Sequence, residues 1–226
     1  MIFNIVTLFP GFLREPLEMS VLGRASRAGT VEWRLVDPRD FTQDRHRTAD
    51  DEPFGGGSGM VMKAGPVWRA VESLPERGRV VSLTPRGRPF DHEAAVRLSL
   101  EPVVTLLCGR YKGIDERVTE SMVNEELSIG DYVLSGGEPA ALVVADAVVR
   151  LLPGALGDHD SAATDSFYDG GLSAPAYTRP REFQSLEVPE VLTSGHHSAV
   201  ARWRARESDR ATRNRRPDLL DLNAAD

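Results

Sequence analysis

Val103-Val104-Thr105-Leu106-Leu107-Cys108-Gly109-Arg110-Tyr111-Lys112-Gly113 runs from a short, mostly apolar segment straight into a loop bounded by glycines. The run is apolar on both faces, the pattern of a central parallel strand covered on each side by helices. Glycines at the C-terminal end of such a strand let backbone approach a ligand closely. In open α/β sheets that end is the usual ligand crevice.

The flanking sequence fits this frame. Upstream, Val80-Val81-Ser82-Leu83 reads as a strand entering the turn Thr84-Pro85-Arg86-Gly87, and Asp91 can cap a helix through Leu98 or Leu100. Ile2 to Phe9 reads as a first strand stopped by Pro10 and Gly11, Leu13 to Ala28 as one helix ending near Gly29, and Val31 to Val36 as an alternating strand. Downstream, the loop Ser128-Ile129-Gly130-Asp131-Tyr132-Val133-Leu134-Ser135-Gly136-Gly137-Glu138 leads to an apolar helix from Ala140 to Leu152. On it, Asp146 and Arg150 have the spacing of a surface ion pair. Alternating strands and helices predict an α/β fold with a parallel sheet.

Two stretches break the alternation. Arg45 to Gly59 is polar, then glycine-rich, and is expected to form a long, mobile loop. Gly157 to Gly171 is the best linker candidate. Beyond it, Arg202 to Arg216 carries seven arginines against Glu207 and Asp209, with Trp203 inside. That segment suits a phosphate-contacting surface and a solvated helix face about equally.

Composition narrows the function classes. The 226 residues are 41% hydrophobic and 27% charged, with 20 glycines and 15 prolines, so the chain is a globular protein able to bury a core. The net charge of −7 argues against non-specific nucleic-acid binding by the chain as a whole. Cys108 is the one cysteine, which excludes an internal disulfide and a multi-cysteine zinc site and fits a cytoplasmic location. The start of the chain reads as a buried strand, not a signal peptide, and no apolar run approaches the ~18 residues of a membrane span. The dinucleotide, P-loop, H-E-x-x-H and G-x-S-x-G signatures are missing, and the five histidines are scattered, so no metal site is expected.

The two glycine-bounded loops, together with Asp44-Arg45-His46-Arg47-Thr48, Gly55-Gly56-Gly57, Gly59-Met60-Val61-Met62, Tyr177-Thr178-Arg179-Pro180 and Ser194-Gly195, resemble the bacterial tRNA (guanine-N1)-methyltransferases. These are the TrmD-type branch of the knotted SPOUT methyltransferases. The resemblance runs from Phe9-Pro10 to Arg216-Pro217. It implies a SPOUT-type parallel-sheet domain with a deep C-terminal trefoil knot over residues 1–157, a flexible linker at 158–175 and a small helical tRNA-binding domain at 176–226. It also implies a homodimer with active sites shared between subunits, and methylation of N1 of the guanosine at tRNA position 37 from S-adenosylmethionine.

Residue by residue, the resemblance assigns the cofactor pocket to Leu83, Thr84 and Pro85 from a first loop and Gly109 and Gly113 from a second. Ser128, Ile129, Gly130, Tyr132, Leu134, Gly136 and Gly137 come from a third. The glycines are expected to leave room for backbone to meet the adenine. Asp165 matches the general base for the N1 proton, although alone it would read as a solvated loop carboxylate. Arg150 matches the residue that stabilises charge on guanine O6. His46, Asp50, Gly55, Gly56, Gly57, Gly59 and Lys112 match positions facing the tRNA or the active site. Gly195, Arg204 and Arg215 match the tRNA-binding domain.

The resemblance departs at three places. Lys112 stands where the family usually has a glutamate linked to the target guanine and to magnesium dependence, so a magnesium requirement is in doubt. Ala211 replaces a frequent arginine, and Phe54 a frequent tyrosine. Two rivals stand beside the tRNA methyltransferase: a tRNA-binding paralogue whose chemistry is weakened at Lys112, and a SPOUT enzyme acting on ribosomal RNA, which the full-length resemblance disfavours.

Overall fold

A computed structural model of the chain describes residues 1–156 and 164–222. It divides into two compact units, Met1–Gly157 and Asp158–Asp226.

The first unit is built on a five-stranded, all-parallel sheet. Its strands are β1 (Ile2–Val6), β2 (Glu32–Val36), β5 (Arg79–Pro89), β6 (Val103–Cys108) and β7 (Glu125–Ser128), in the order β2-β1-β6-β5-β7. β6 lies in the middle and every one of its residues is buried. Side chains alternate across a strand, so Val104, Leu106 and Cys108 enter one apolar layer while Leu107 enters the other. The first layer is shared with α1 (Pro10–Glu18), α2 (Ser20–Arg27), α4 (His92–Ser99) and α6 (Glu138–Val149). The second is shared with α3 (Ala64–Glu72) and α5 (Glu116–Met122). Burying one such leucine or valine stabilises the fold by about 1.5–3 kcal/mol.

Thr105 interrupts the apolar run for a reason. Its hydroxyl donates to the Arg77 carbonyl and accepts from Asn4 Nδ2 at 3.0 Å, and Asn4 also donates to the Glu76 carbonyl at 2.9 Å. The buried polar pair fastens the turn that leads into β5.

Three sequence expectations are corrected. The helix expected over Leu13 to Ala28 is two helices, broken at Met19–Ser20, with Ser20 at a φ of +48°. A Cβ on Gly23 would run into the Glu18 backbone, so the second helix crosses the end of the first at that point. The stretch Arg45 to Gly59 is partly ordered. β3 (Asp50–Asp51) pairs antiparallel with β4 (Val61–Met62), and the Asp44 carboxylate closes a turn by accepting from His46 N, Thr48 N and the Thr48 hydroxyl. The strand expected to stop at Leu83 continues to Pro89, with its pairing to β7 interrupted between Leu83 and Arg88.

The second unit holds a short hairpin of Glu182–Phe183 with Leu186–Glu187, a helical turn Glu190–Thr193, the long helix His197–Arg215 and the helix Asp218–Leu222. Positions 157–163 of the expected linker lie outside the described residues. Among the described residues no helix is long and apolar enough to cross a membrane.

Candidate functional site

Three loops, one an excursion within β5 and the others at the C-terminal ends of β6 and β7, enclose a cavity of about 400 Å³ in the first unit. That volume falls in the range of small-molecule sites, roughly 300–1,000 Å³. The first loop is the excursion Thr84–Gly87, where β5 leaves β7 and returns. A Cβ on Gly87 would stand 2.5 Å from the backbone of Glu126 and Leu127, so only glycine lets the chain return there. Arg86, in the same excursion, pairs with Glu116 at 2.9 Å.

The second loop turns at Tyr111 (φ +61°) and Gly113 (φ +114°). It is laced to the segment after the glycine-rich stretch. Lys112 N donates to the Met60 carbonyl at 2.9 Å, Met62 N to Gly113 at 3.0 Å, and Asp115 N to Met62 at 3.0 Å. The Lys112 stem lies where a Cβ on Gly59 would come within 3.1 Å of it.

The third loop, Ser128 to Gly137, folds on itself through the Tyr132 hydroxyl, which donates to the Ile129 carbonyl at 3.0 Å. Its rim exposes Tyr132, Val133 and Leu134. The second and third loops are joined by Gly137 N donating to the Gly109 carbonyl at 2.9 Å and by a bridge between Arg110 and Gly136.

Cys108 beneath this junction is fully buried. Burial, and secondarily the Glu138 carboxylate, push its thiol well above the ordinary value, with Arg110 opposing. It stays a neutral thiol and packs as a small hydrophobe.

In the second unit, a broader cavity of about 890 Å³ runs between the segment from Thr164 to Arg181 and the long helix. Asp165, Tyr177, Arg179, Arg181 and Arg204 line it. Tyr177 and Trp203 meet at 6.3 Å between ring centroids. Along the helix, Arg210 pairs with Glu207 and Arg213 with Asp209, and beyond it Arg216 pairs with Asp218. Arg202, Arg204 and Arg215 are exposed and have no acidic partner among the described residues.

The family model described as tRNA (Guanine-1)-methyltransferase TrmD matches residues 1–222. The chain belongs to this family. It is 53% identical to the tRNA (guanine-N(1)-)-methyltransferase of Frankia alni, over 99% of this chain and 87% of that protein. It is 50% identical to those of Geobacter sp. (strain M21), over 97% and 89%, and Dictyoglomus turgidum, over 96% and 89%. As a member of the family it is an S-adenosylmethionine-dependent tRNA (guanine-N1)-methyltransferase.

All twelve residues expected around the cofactor line the 400 Å³ cavity, together with Lys112. The cavity offers apolar walls at Leu83, Ile129 and Leu134 with backbone groups of three loops between them, a composition suited to an adenosine and an amino-acid tail. The reason for the glycines differs from expectation at two of them. The missing Cβ of Gly136 leaves room for the Arg110 and Glu138 side chains, and that of Gly137 for the Cys108 backbone, at 2.7 Å. Both are glycine so that the loops can meet each other.

The wall also contains Ser82, Arg86, Arg110, Tyr111, Glu116 and Ser135, which the sequence reading did not assign. Arg110 carried a legible signal, a charged residue beside Gly109 in the decisive loop. Tyr111 and Ser135 stood in the two quoted loops as well, whereas Ser82, Arg86 and Glu116 become visible only when the strands are assembled into the sheet.

His46 sits in the Asp44 turn and Asp50 on β3. Gly55, Gly56 and Gly57 have positive φ in an open turn, and Gly59 rests on Lys112. Arg150 caps the C-terminus of α6 and belongs to the first unit, whereas Asp165 and Arg204 line the cavity of the second. Gly195 (φ +72°) precedes the long helix, and Arg215 is its last residue. Magnesium fits the first cavity poorly at Lys112, whose ammonium offers no oxygen ligand.

Proposed function

We propose that the chain methylates N1 of the guanosine at position 37 of tRNA, with the 400 Å³ cavity holding S-adenosylmethionine. The observation that carries this reading is the convergence of the twelve expected residues from three separate loops on that one cavity. Bound there, S-adenosylmethionine supplies an electrophilic methyl group.

Guanine N1 bears a proton and is a poor nucleophile until it leaves. Asp165 takes that proton. General-base assistance of this kind is worth about 10²–10⁴-fold. Arg150 holds the negative charge that builds on O6, a preorganised interaction worth a few kcal/mol. Arg204 and Arg215 take tRNA phosphates, supported by their exposure without acidic partners among the described residues.

The working enzyme is a homodimer whose active site draws on both subunits. Supporting this, α6 is apolar around most of its circumference, yet Val143 on it is 47% exposed beside half-buried Leu142 and Ala147. Phe9, Phe12 and the Tyr132–Leu134 rim are exposed as well. Such a helix is ordinarily buried. Three further features follow the family. Residues 1–157 fold as a SPOUT domain with a trefoil knot, residues 158–175 link it to a tRNA-binding domain at 176–226, and the enzyme works in the cytoplasm, where tRNA is modified.

The test is transfer of labelled methyl from S-adenosylmethionine to a tRNA transcript with guanosine at positions 36 and 37, against one with adenosine at 37. Label mapped as 1-methylguanosine at 37 is the expected result. Equal labelling of both transcripts overturns the assignment. Lys112 in the cavity wall gives a second reading, a tRNA-binding protein with weakened chemistry. A large gain of transfer in Lys112→Glu at unchanged tRNA affinity would favour it.

A further inference from the structure

Among the described residues of the first unit, Glu138 is the one acidic residue with no exposed surface, and the methyl-transfer chemistry does not use it. It opens α6 just below the junction of the second and third cavity loops. Its carboxylate accepts from the Thr7 hydroxyl at 2.6 Å and from Arg110 Nε at 3.1 and 3.2 Å, and it pairs with a terminal nitrogen of Arg110 at 3.0 Å. Thr7 is buried too, and its oxygen also accepts from Phe9 N at 2.9 Å. The Phe9 ring covers the Arg110 guanidinium at 4.1 Å. Arg110 is therefore held on one side by a charge and on another by a π-face.

Burying an ion pair costs desolvation that its own attraction rarely exceeds by much, so such a pair is a weak device for stability alone. What this pair does is visible in the backbone. Arg110 belongs to the second loop and bridges to Gly136 of the third. Gly109 and Gly137 are hydrogen-bonded on one side of that bridge, and Gly113 N closes the second loop onto the Arg110 carbonyl at 2.9 Å. Gly136 must lack a side chain because Arg110 and Glu138 occupy its Cβ position. Three elements distant in sequence, the end of β1, the second loop and the start of α6, thus meet on one carboxylate.

We propose that Glu138, Arg110 and Thr7 are positioning residues that clamp the second and third loops at the spacing the cofactor needs. This rests on the cofactor reading of the cavity. The clamp acts before any ligand arrives: it keeps the pocket preformed, so that binding need not order the two loops.

The test uses the full-length wild type, Glu138→Gln and Thr7→Val. Glu138→Gln keeps the shape and removes the charge. Thr7→Val keeps the shape and removes one hydroxyl, and serves if the first variant folds poorly. Dissociation constants for S-adenosylmethionine are measured by calorimetry well below each variant's melting temperature, with amide hydrogen exchange followed in the unliganded proteins. We expect affinity to fall on the order of tenfold in Glu138→Gln and severalfold in Thr7→Val. The amides of Gly113 and Gly137 should exchange faster while those of β1 and β6 stay protected. Lower melting temperatures with unchanged affinity and unchanged exchange at Gly113 and Gly137 would show a merely structural pair and overturn the clamp. Wild type that binds no S-adenosylmethionine would instead overturn the cofactor reading, and the exchange data would still decide the clamp by themselves.

Discussion

The two cavities are built in opposite ways. The one in the first unit is small and framed by backbone: loops tied to each other by main-chain bonds, glycines where chains meet, and a buried carboxylate below. The one in the second unit is about twice as large and framed by side chains, with arginines, a tyrosine and two aspartates along an exposed helix and an extended segment. Few main-chain bonds tie that segment to the helix. Leu172 N donates to the Thr212 hydroxyl at 2.9 Å, and the Ser208 hydroxyl donates to the Leu172 carbonyl at 2.6 Å. A small cofactor presents little surface, so its site gains most by being rigid beforehand. A polyanion presents many equivalent charges, so its site gains most from long cationic side chains that can adapt.

The largest effect that would break this contrast is at Asp165. Asp165→Ala should reduce methyl transfer by about 10²–10⁴-fold while S-adenosylmethionine affinity stays within twofold of wild type. Single-turnover kinetics and calorimetry on the same sample check both halves. Loss of cofactor affinity in this variant would show that the two cavities do not divide the work.

Gly137→Ala probes the backbone-framed cavity. The added methyl meets the Cys108 backbone at 2.7 Å, which cannot yield like a flexible side chain. Overpacking of this kind costs about 1–3 kcal/mol. A lower denaturation midpoint and weaker cofactor binding are expected together. Alanine tolerated in both respects would mean the loops are looser than their hydrogen bonds imply.

Glu125 offers a pH handle on the sheet edge that carries the third loop. Burial would raise its pKa, but hydrogen bonds from Arg97 (2.8 and 2.9 Å) and Arg88 (2.6 Å) outweigh it and lower the value below the ordinary 4.5. A carboxyl depressed in the folded state adds stability above its unfolded pKa and loses it as pH falls through the folded one. Glu125→Gln should therefore cost about 1–2 kcal/mol at pH 7. The gap to wild type should narrow as pH drops below 4.5. Urea melts across that range give the comparison, and a gap independent of pH would remove the charge from the account.

The smallest effect belongs to the side-chain-framed cavity. Arg204→Ala should weaken tRNA binding severalfold and lower the slope of log K against log salt by about 1. Cofactor affinity should not change. A slope equal to wild type would take Arg204 off the phosphate path.

Much of the first unit was legible because its signal is local. The run Val103 to Cys108 could only be a strand covered on both faces, and Asp91 caps α4 as its position before an amphipathic run implies, accepting from Ala94 N at 2.8 Å. The break at Met19–Ser20 was not legible. It comes from one helix crossing another at Gly23, a contact no periodicity encodes. The ordering of Arg45 to Gly59 also escaped, because two-residue strands leave no pattern and the Asp44 turn depends on three partners within four residues.

By itself, the sequence determined the parallel sheet, the position of its central strand, the family and the loops that meet at the cavity. The sheet and the loops follow from apolar period and glycine placement, and the family from the resemblance of the loop motifs, all of them properties of neighbours along the chain. Only the tertiary structure decided why Gly136 and Gly137 are glycine, that Thr105 ties down a turn, and that Glu138, Arg110 and Thr7 share one buried site. Those depend on atoms brought into hydrogen-bonding distance from residues as far as 131 positions apart. A buried charge is tolerated only where such distant partners all arrive together.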